Sequence, residues 1–293
     1  MPGGSNHINP LDLNLEDDGE GSPFAQKVDF VISIIETMLG GRAELNGYLK
    51  SIVDQTLKEM YAPYEAALAK MNKTYDPSIC PTLKDFYQIL RGRKEPEAKN
   101  LAASIQMYCT GTLDLFSYKT DIDTKNRFII YDTKNIGTNL KELGMQVCLN
   151  DIWNRMVENR KKLVRTWFYI DEFYLFLTNL TAVEYIRNFM KRVRKKDSAV
   201  ILASQNLEDF NIDGIREYTK PLFSIPTHAF LFNAGNIDAK FYIDTLQLEK
   251  SEYNLIRYPQ RGVCLYKCGN ERYNLMVHAP EYKEKLFGSA GGR

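Results

Sequence analysis

Asp171 and Glu172 close an apolar, aromatic run, Val164-Arg165-Thr166-Trp167-Phe168-Tyr169-Ile170, and two adjacent carboxylates at such a point can do metal and proton chemistry. A run of this kind suits a strand buried on both faces of a parallel sheet, and ligands of such sheets gather where the strands end. There an aspartate can hold Mg2+ through its water shell while the next glutamate polarises an attacking water, the division of labour that hydrolysis of a nucleoside triphosphate needs. A solvated strand end that caps the following helix would show the same two residues. Further on, Ala199-Val200-Ile201-Leu202-Ala203 runs into Ser204-Gln205-Asn206, placing a neutral amide at the end of the expected neighbouring strand. Gln205 there could sense a γ-phosphate or orient the water. The plainer reading is a polar turn leading into Leu207-Glu208-Asp209.

Between these two strands the spacing predicts a helix over 182–195 with Val183, Ile186, Met190 and Val193 as its buried stripe. Arg187, Lys191 and Arg194 share one flank of it. Cations near a helix C-terminus complement its dipole, and charge runs are usually solvated faces. The sharper alternative is an arginine that reaches a neighbouring subunit's nucleotide and neutralises charge in the transition state. No G-x-x-x-x-G-K-[ST] occurs in the chain, so it holds neither a phosphate-cradling loop nor the lysine that accompanies one. Gly40-Gly41-Arg42 and Gly111-Thr112 do not substitute for it. His7, His228 and His278 form no ligand pattern and are read as structural, and no serine or cysteine occupies a nucleophile-elbow sequence.

The elements that must position these residues fall into two textures. From about residue 22 to 111 the pattern is helical, with helices expected at 24–39 behind Ser22-Pro23, at 45–61, 64–71, 83–90 behind Thr82-x-x-Asp85, and 97–110. Beyond it strands are expected at 127–132, 164–171, 199–204, 229–232, 263–266 and 273–277, with helices at 140–157, 182–195 and 238–246. Such alternation implies an α/β fold with a mostly parallel sheet, the last two strands forming an added hairpin. The division expected is an N-terminal segment 1–21, an all-α subdomain 22–118, an α/β core 119–287 and a flexible tail 288–293.

With 293 residues and 44% hydrophobic content the chain can build one large domain or a domain with a subdomain. Lys and Arg number 38 against 37 Asp and Glu, which gives no bulk attraction to nucleic acid or to an anionic membrane. No apolar run approaches the roughly 18 residues of a spanning helix, and the Asn- and Asp-rich start lacks a signal-peptide pattern. A soluble, cytoplasmic protein is expected. Five scattered cysteines, Cys80, Cys109, Cys148, Cys264 and Cys268, read as reduced thiols. Cys264 and Cys268 lie in an alternating strand pattern with no second ligand pair nearby, which favours buried small hydrophobes over a metal site.

Many ordered segments of the chain resemble the VirB-four/TraC-like ATPases of bacterial type IV secretion and conjugative transfer. They are His7-Ile8-Asn9-Pro10-Leu11-Asp12, Pro81-Thr82-Leu83-Lys84-Asp85-Phe86-Tyr87, Tyr108-Cys109-Thr110-Gly111-Thr112, Asn126-Arg127-Phe128-Ile129-Ile130-Tyr131-Asp132 and Ile152-Trp153-Asn154-Arg155. The resemblance continues through Tyr169-Ile170-Asp171-Glu172-Phe173, Lys191-Arg192-Val193-Arg194-Lys195 and Ser204-Gln205-Asn206-Leu207-Glu208-Asp209. It implies a RecA-like P-loop NTPase core with an all-helical insertion. It also implies Asp171 and Glu172 as the Walker B pair, with Asp171 holding Mg2+ through water, Gln205 as the glutamine motif, and Arg192 and Arg194 as the arginine motif. Gln260-Arg261-Gly262 resembles the family's glycine-containing nucleotide-contact motif, with an arginine where an acidic residue or glycine often stands.

In that family the phosphate loop precedes the His-Ile-Asn-Pro segment, so the resemblance implies a C-terminal piece that begins after the loop and is inactive alone. The cofactors implied are Mg2+ and ATP. The partners implied are further copies in a hexamer, other secretion components and the coupling ATPase, with the protein on the cytoplasmic face of the membrane. Two other readings stay open: a non-catalytic assembly module acting through its helices, and a coupling-protein-type DNA translocase with salt-dependent DNA binding through residues 187–196.

Overall fold

The computed structural model describes residues 6–16, 19, 21–41, 44–123, 126–133, 136–176, 180–205, 216–234 and 239–288. The Asn206-Leu207-Glu208-Asp209 segment, Arg42 and the tail beyond Gly288 lie outside the described residues.

Local chemistry sets the first helices. The Ser22 hydroxyl accepts the Ala25 N–H, and Pro23, with its fixed φ, takes the first position of α1 (Pro23–Met38). Gly40 and Gly41, both at positive φ, end it. Helix α2 (Gly47–Lys70), capped by Asn46, runs straight through Pro63, where the sequence pattern predicts a break between two helices. A proline removes one backbone bond from a helix. The tyrosines on either side of it, Tyr61 and Tyr64, are buried and donate their hydroxyls to Leu11 O (2.5 Å) and Leu13 O (2.9 Å). Both halves of the helix are thereby fixed to one segment, which outweighs the lost bond. Helix α3 (Leu83–Gly92) starts where Asp85 accepts the Thr82 N–H and hydroxyl, and α4 (Pro96–Cys109) follows. Ile34, Ile35, Val53, Leu57, Leu68, Phe86, Leu90 and Ile105 are fully buried among these helices. At about 1.5–3 kcal/mol for each such side chain, this packing is the main source of local stability.

The chain continues through α5 (Thr138–Lys161), β1 (Thr166–Ile170), α6 (Leu180–Val193), β2 (Ser198–Leu202), α7 (Arg216–Ser224), β3 (His228–Leu231), α8 (Ala239–Leu246), α9 (Lys250–Arg257), β4 (Val263–Cys268), β5 (Glu271–Met276) and α10 (Glu281–Phe287). It divides into two compact units, Met1–Ile170 with Arg192–Ile201, and Asp171–Lys191 with Leu202–Arg293.

In the first unit β1 and β2 are neighbours. Their starts are joined by Arg165 Nε and Asp197 Oδ2 at 3.3 Å, as parallel strands require. One expectation fails here: β1 is not buried on both faces. Ile170 is buried, while Trp167 and Tyr169, on the other face, are 61% and 66% exposed. A second concerns residues 127–132, which are not in a strand; Phe128 and Ile130 stand 76% and 75% exposed. A run with alternating apolar residues becomes a strand only when a ladder partner satisfies its backbone. Among the described residues none is assigned to this run.

In the second unit β3, β4 and β5 form an antiparallel sheet. Phe230 opposes Tyr266, which opposes Tyr273. The hairpin expected at 263–277 is present, but β3 joins it antiparallel and does not extend the parallel pair. Leu265 faces a core of Tyr242, Leu246, Tyr253 and Ile256 from α8 and α9. Gly262 starts the hairpin at φ +87°, and a Cβ there would stand 2.5 Å from Val277 O, so only glycine fits.

Candidate active site

Asp171 follows the last residue of β1 and is exposed, and its Oδ1 accepts the backbone N–H of Glu172 at 3.0 Å. Glu172 takes φ +49°, a left-handed conformation that costs a non-glycine residue on the order of 1 kcal/mol or more. Its carbonyl accepts the Leu175 N–H at 3.0 Å, opening a 3-10 turn, Phe173–Phe176, that buries Phe173. The Phe173 N–H then donates to Ala203 O at 2.8 Å, tying the segment after β1 to the segment after β2. Two residues past Ala203, Gln205 donates from Nε2 to Oε1 of Glu172. The other carboxylate oxygen, Oε2, is buried and has no hydrogen-bond partner among the described residues.

A solvated helix cap would leave both oxygens in water. This carboxylate instead has one oxygen held and the other buried without a partner among the described residues, at a residue in strained backbone, a combination that belongs to reactive sites more than to caps. Asp171, Glu172 and Gln205 are therefore brought together. An exposed aspartate beside one further carboxylate also fits Mg2+, which keeps several waters and takes one or two carboxylates plus substrate phosphates.

The remaining expected site residues lie elsewhere in the fold. The Gln260 carbonyl accepts the Val263 N–H at 3.0 Å, and the Gly262 carbonyl accepts the Val277 N–H at 2.8 Å, so both shape the base of the hairpin. In the first unit Arg192 lies over the Trp153 ring at 4.5 Å, and Lys196 approaches the same ring at 5.6 Å. This cation–π contact anchors the end of α6 on α5, a role the sequence reading did not assign to Trp153. Arg194 opens the 3-10 turn Arg194–Lys196. Arg187, in the second unit, has its guanidinium 5.9 Å from the Tyr218 ring and a buried Nε without a hydrogen-bond partner among the described residues. The buried stripe of α6 is Val183, Ile186, Phe189 and Val193, with Phe189 in place of the expected Met190.

A second polar cluster, in the first unit, was not legible from motifs. Asn9, 1% exposed, donates to Asp12 Oδ1 (3.2 Å) and Pro81 O (2.8 Å), and its Oδ1 accepts the Leu11 N–H (3.0 Å). Asp12 Oδ2 also accepts from Thr120 (2.5 Å) and Tyr75 (3.1 Å), and Lys27 donates to Pro10 O at 3.0 Å. Burial raises the Asp12 carboxyl above its usual range and lowers the Lys27 ammonium to about 8, with Asp12 partly opposing the latter. Burial also pushes the Cys80 thiol up to about 12, far from a reactive thiolate. His7 pairs with Asp121 at 2.8 Å and His228 with the Tyr266 hydroxyl at 2.7 Å. The cysteines are free thiols.

No family model and no curated protein sequence matches the chain. Among solved structures it is similar to VirB4 of Thermoanaerobacter pseudethanolicus, with a TM-score of 0.78 and 24% identity over 95% of this chain and 75% of that one. It is also similar to the plasmid coupling protein TrwB in complex with ADP and Mg2+ (TM-score 0.50, 13% identity, 94% of this chain and 74% of that one). The unbound monoclinic form of the conjugative coupling protein TrwBdeltaN70 matches with a TM-score of 0.50 and 11% identity, over 93% of this chain and 73% of that one. The chain thus has the RecA-like α/β fold of these proteins. Among the described residues no helix is long and apolar enough to cross a membrane.

Proposed function

We propose that this chain is motor-domain polypeptide of a type IV secretion or conjugation ATPase, coupling Mg-ATP hydrolysis to machine assembly or substrate transfer. The observation that carries the reading is the Glu172 carboxylate, held by Gln205 on one oxygen and shielded on the other, directly after Asp171. The likeness to the VirB4 structure supports it, and the ADP and Mg2+ in the TrwB structure support the choice of ligand. Mg2+, when bound, would neutralise the negative charge that develops on the phosphates. Asp171 would hold the ion through water, Glu172 would accept the proton of the attacking water, and the Phe173 N–H to Ala203 O bond holds the two segments together. The 293 residues contain no phosphate-cradling sequence, and on this reading that loop comes from polypeptide outside them. Arg194, or Arg192 once it leaves the Trp153 ring, would reach the nucleotide of a neighbouring copy in a hexamer at the cytoplasmic face of the membrane, where other secretion components would bind.

Steady-state hydrolysis by the full-length gene product tests this. Mg-dependent ATP turnover is expected, with Glu172→Gln lowering kcat by about a hundredfold or more, the usual worth of a general base. The 293-residue chain alone is expected to show none. Full activity in Glu172→Gln, or turnover by the 293-residue chain, would overturn the assignment.

A further inference from the structure

Gln205 is expected from sequence to contact a γ-phosphate or the attacking water directly, but in the structure its Nε2 is spent on Oε1 of Glu172. We propose that Gln205 is a positioning residue that acts through Glu172, so that Oε2, and not Oε1, is the oxygen that takes the proton; this rests on the ATPase reading above. Two backbone contacts and one to the carboxylate place Glu172. Asp171 Oδ1 holds the Glu172 N–H, the Phe173 N–H to Ala203 O bond sets the spacing of the two segments, and the Gln205 carboxamide holds Oε1. A carboxylate can turn about its last bond, which is a broad torsion. A donor on one oxygen holds the plane of the group, so that an oxygen always stands at the Oε2 position.

Oε2 is then the informative atom, because it is buried and has no hydrogen-bond partner among the described residues, a costly arrangement that a further donor would relieve. A water molecule supplies that partner. In the reaction its oxygen bonds to the γ-phosphorus, the bond from that phosphorus to the departing ADP oxygen breaks, and its proton passes to Oε2. The carboxamide does not touch the reacting atoms. Its loss lets the base swing, and displacement of a base by about 1 Å can cost on the order of a hundredfold in rate.

Two measurements test the assignment. In the 293-residue chain, NMR of the Gln205 side-chain amide is expected to show one proton shifted downfield and protected from exchange, and Glu172→Ala to abolish both features. A Gln205 amide pair at free-amide shifts and unprotected from exchange in the unsubstituted chain overturns the contact whatever the enzyme does. In the full-length gene product, Gln205→Leu is expected to lower kcat about tenfold to a hundredfold at unchanged KM, and to cost nothing further in a Glu172→Gln background. Circular dichroism melting serves as the check that both variants are folded. A raised KM, or a loss that stays additive in Glu172→Gln, means direct phosphate contact and overturns the positioning role. If the unsubstituted protein hydrolyses nothing, the ATPase reading fails and this role falls with it, while the amide signal still reports the contact.

Discussion

Asp12 accepts hydrogen bonds from Asn9, Thr120 and Tyr75, whereas Glu172 has one oxygen held by Gln205 and the other buried without a partner among the described residues. Asp12 is buried, whereas Glu172 is partly buried with Oε2 shielded, and the two differ in how completely their surroundings satisfy them. The Asp12 cluster joins the segment 6–16 to residues far along the chain, and each hydrogen bond there replaces one lost to water. A fully satisfied network of this sort fixes a unique packing and leaves nothing for a ligand to complete. The Glu172 site combines an oxygen without a partner among the described residues and left-handed backbone at the same residue, two features that cost stability.

If that contrast is right, the two carboxylates should respond in opposite ways. The largest effect expected is on turnover: Glu172→Gln removes about a hundredfold or more from kcat of the full-length gene product, with the melting midpoint moved by no more than about 0.5 kcal/mol equivalent. Next in size, Asn9→Ala in the 293-residue chain should lower stability by about 2–4 kcal/mol in urea unfolding, since it strands Pro81 O, the Leu11 N–H and part of Asp12 at once. A cost below about 1 kcal/mol would mean that the cluster is not the lock described.

A further test uses pH. Unfolded Lys27 keeps its proton up to about 10.5, while the folded residue gives it up near 8. Between those values unfolding takes up a proton, so raising the pH favours the folded chain through this group. The unsubstituted chain should therefore gain stability relative to Lys27→Met between pH 8 and pH 10, and parallel curves for the two would remove Lys27 from the account. The smallest effect is expected at the strained residue itself. Glu172→Gly should leave the melting temperature unchanged or raise it, by the equivalent of at most about 1 kcal/mol, because glycine adopts positive φ freely.

What the sequence made legible follows the range of the interactions involved. Ser22-Pro23 and Thr82-x-x-Asp85 act within one helical turn, and the helices they predict are present. The break predicted at Pro63 fails because Tyr61 and Tyr64 are held by Leu11 and Leu13, some fifty residues away. The strand predicted at 127–132 fails for the matching reason, since alternation marks a surface but pairing makes a strand. Within the site, two acids ending one apolar run and an amide ending the next could be read as types and places. The bond between Gln205 and Glu172 could not, because it depends on two side chains meeting from segments 33 residues apart. The Asp12 cluster was further out of reach, with Asn9 bound to Thr120 across 111 residues.

The open face of β1 has an optical consequence. The chain contains two tryptophans. Trp153 is buried beneath two cations, whereas Trp167 stands largely in solvent beside Tyr169. Their fluorescence therefore separates by environment, with the Trp167 component red-shifted and open to acrylamide. Any polypeptide that comes to cover this face will shift that component to the blue and shield it, while Trp153 serves as the internal standard. A single residue left uncovered thus makes the unsubstituted chain its own sensor of assembly.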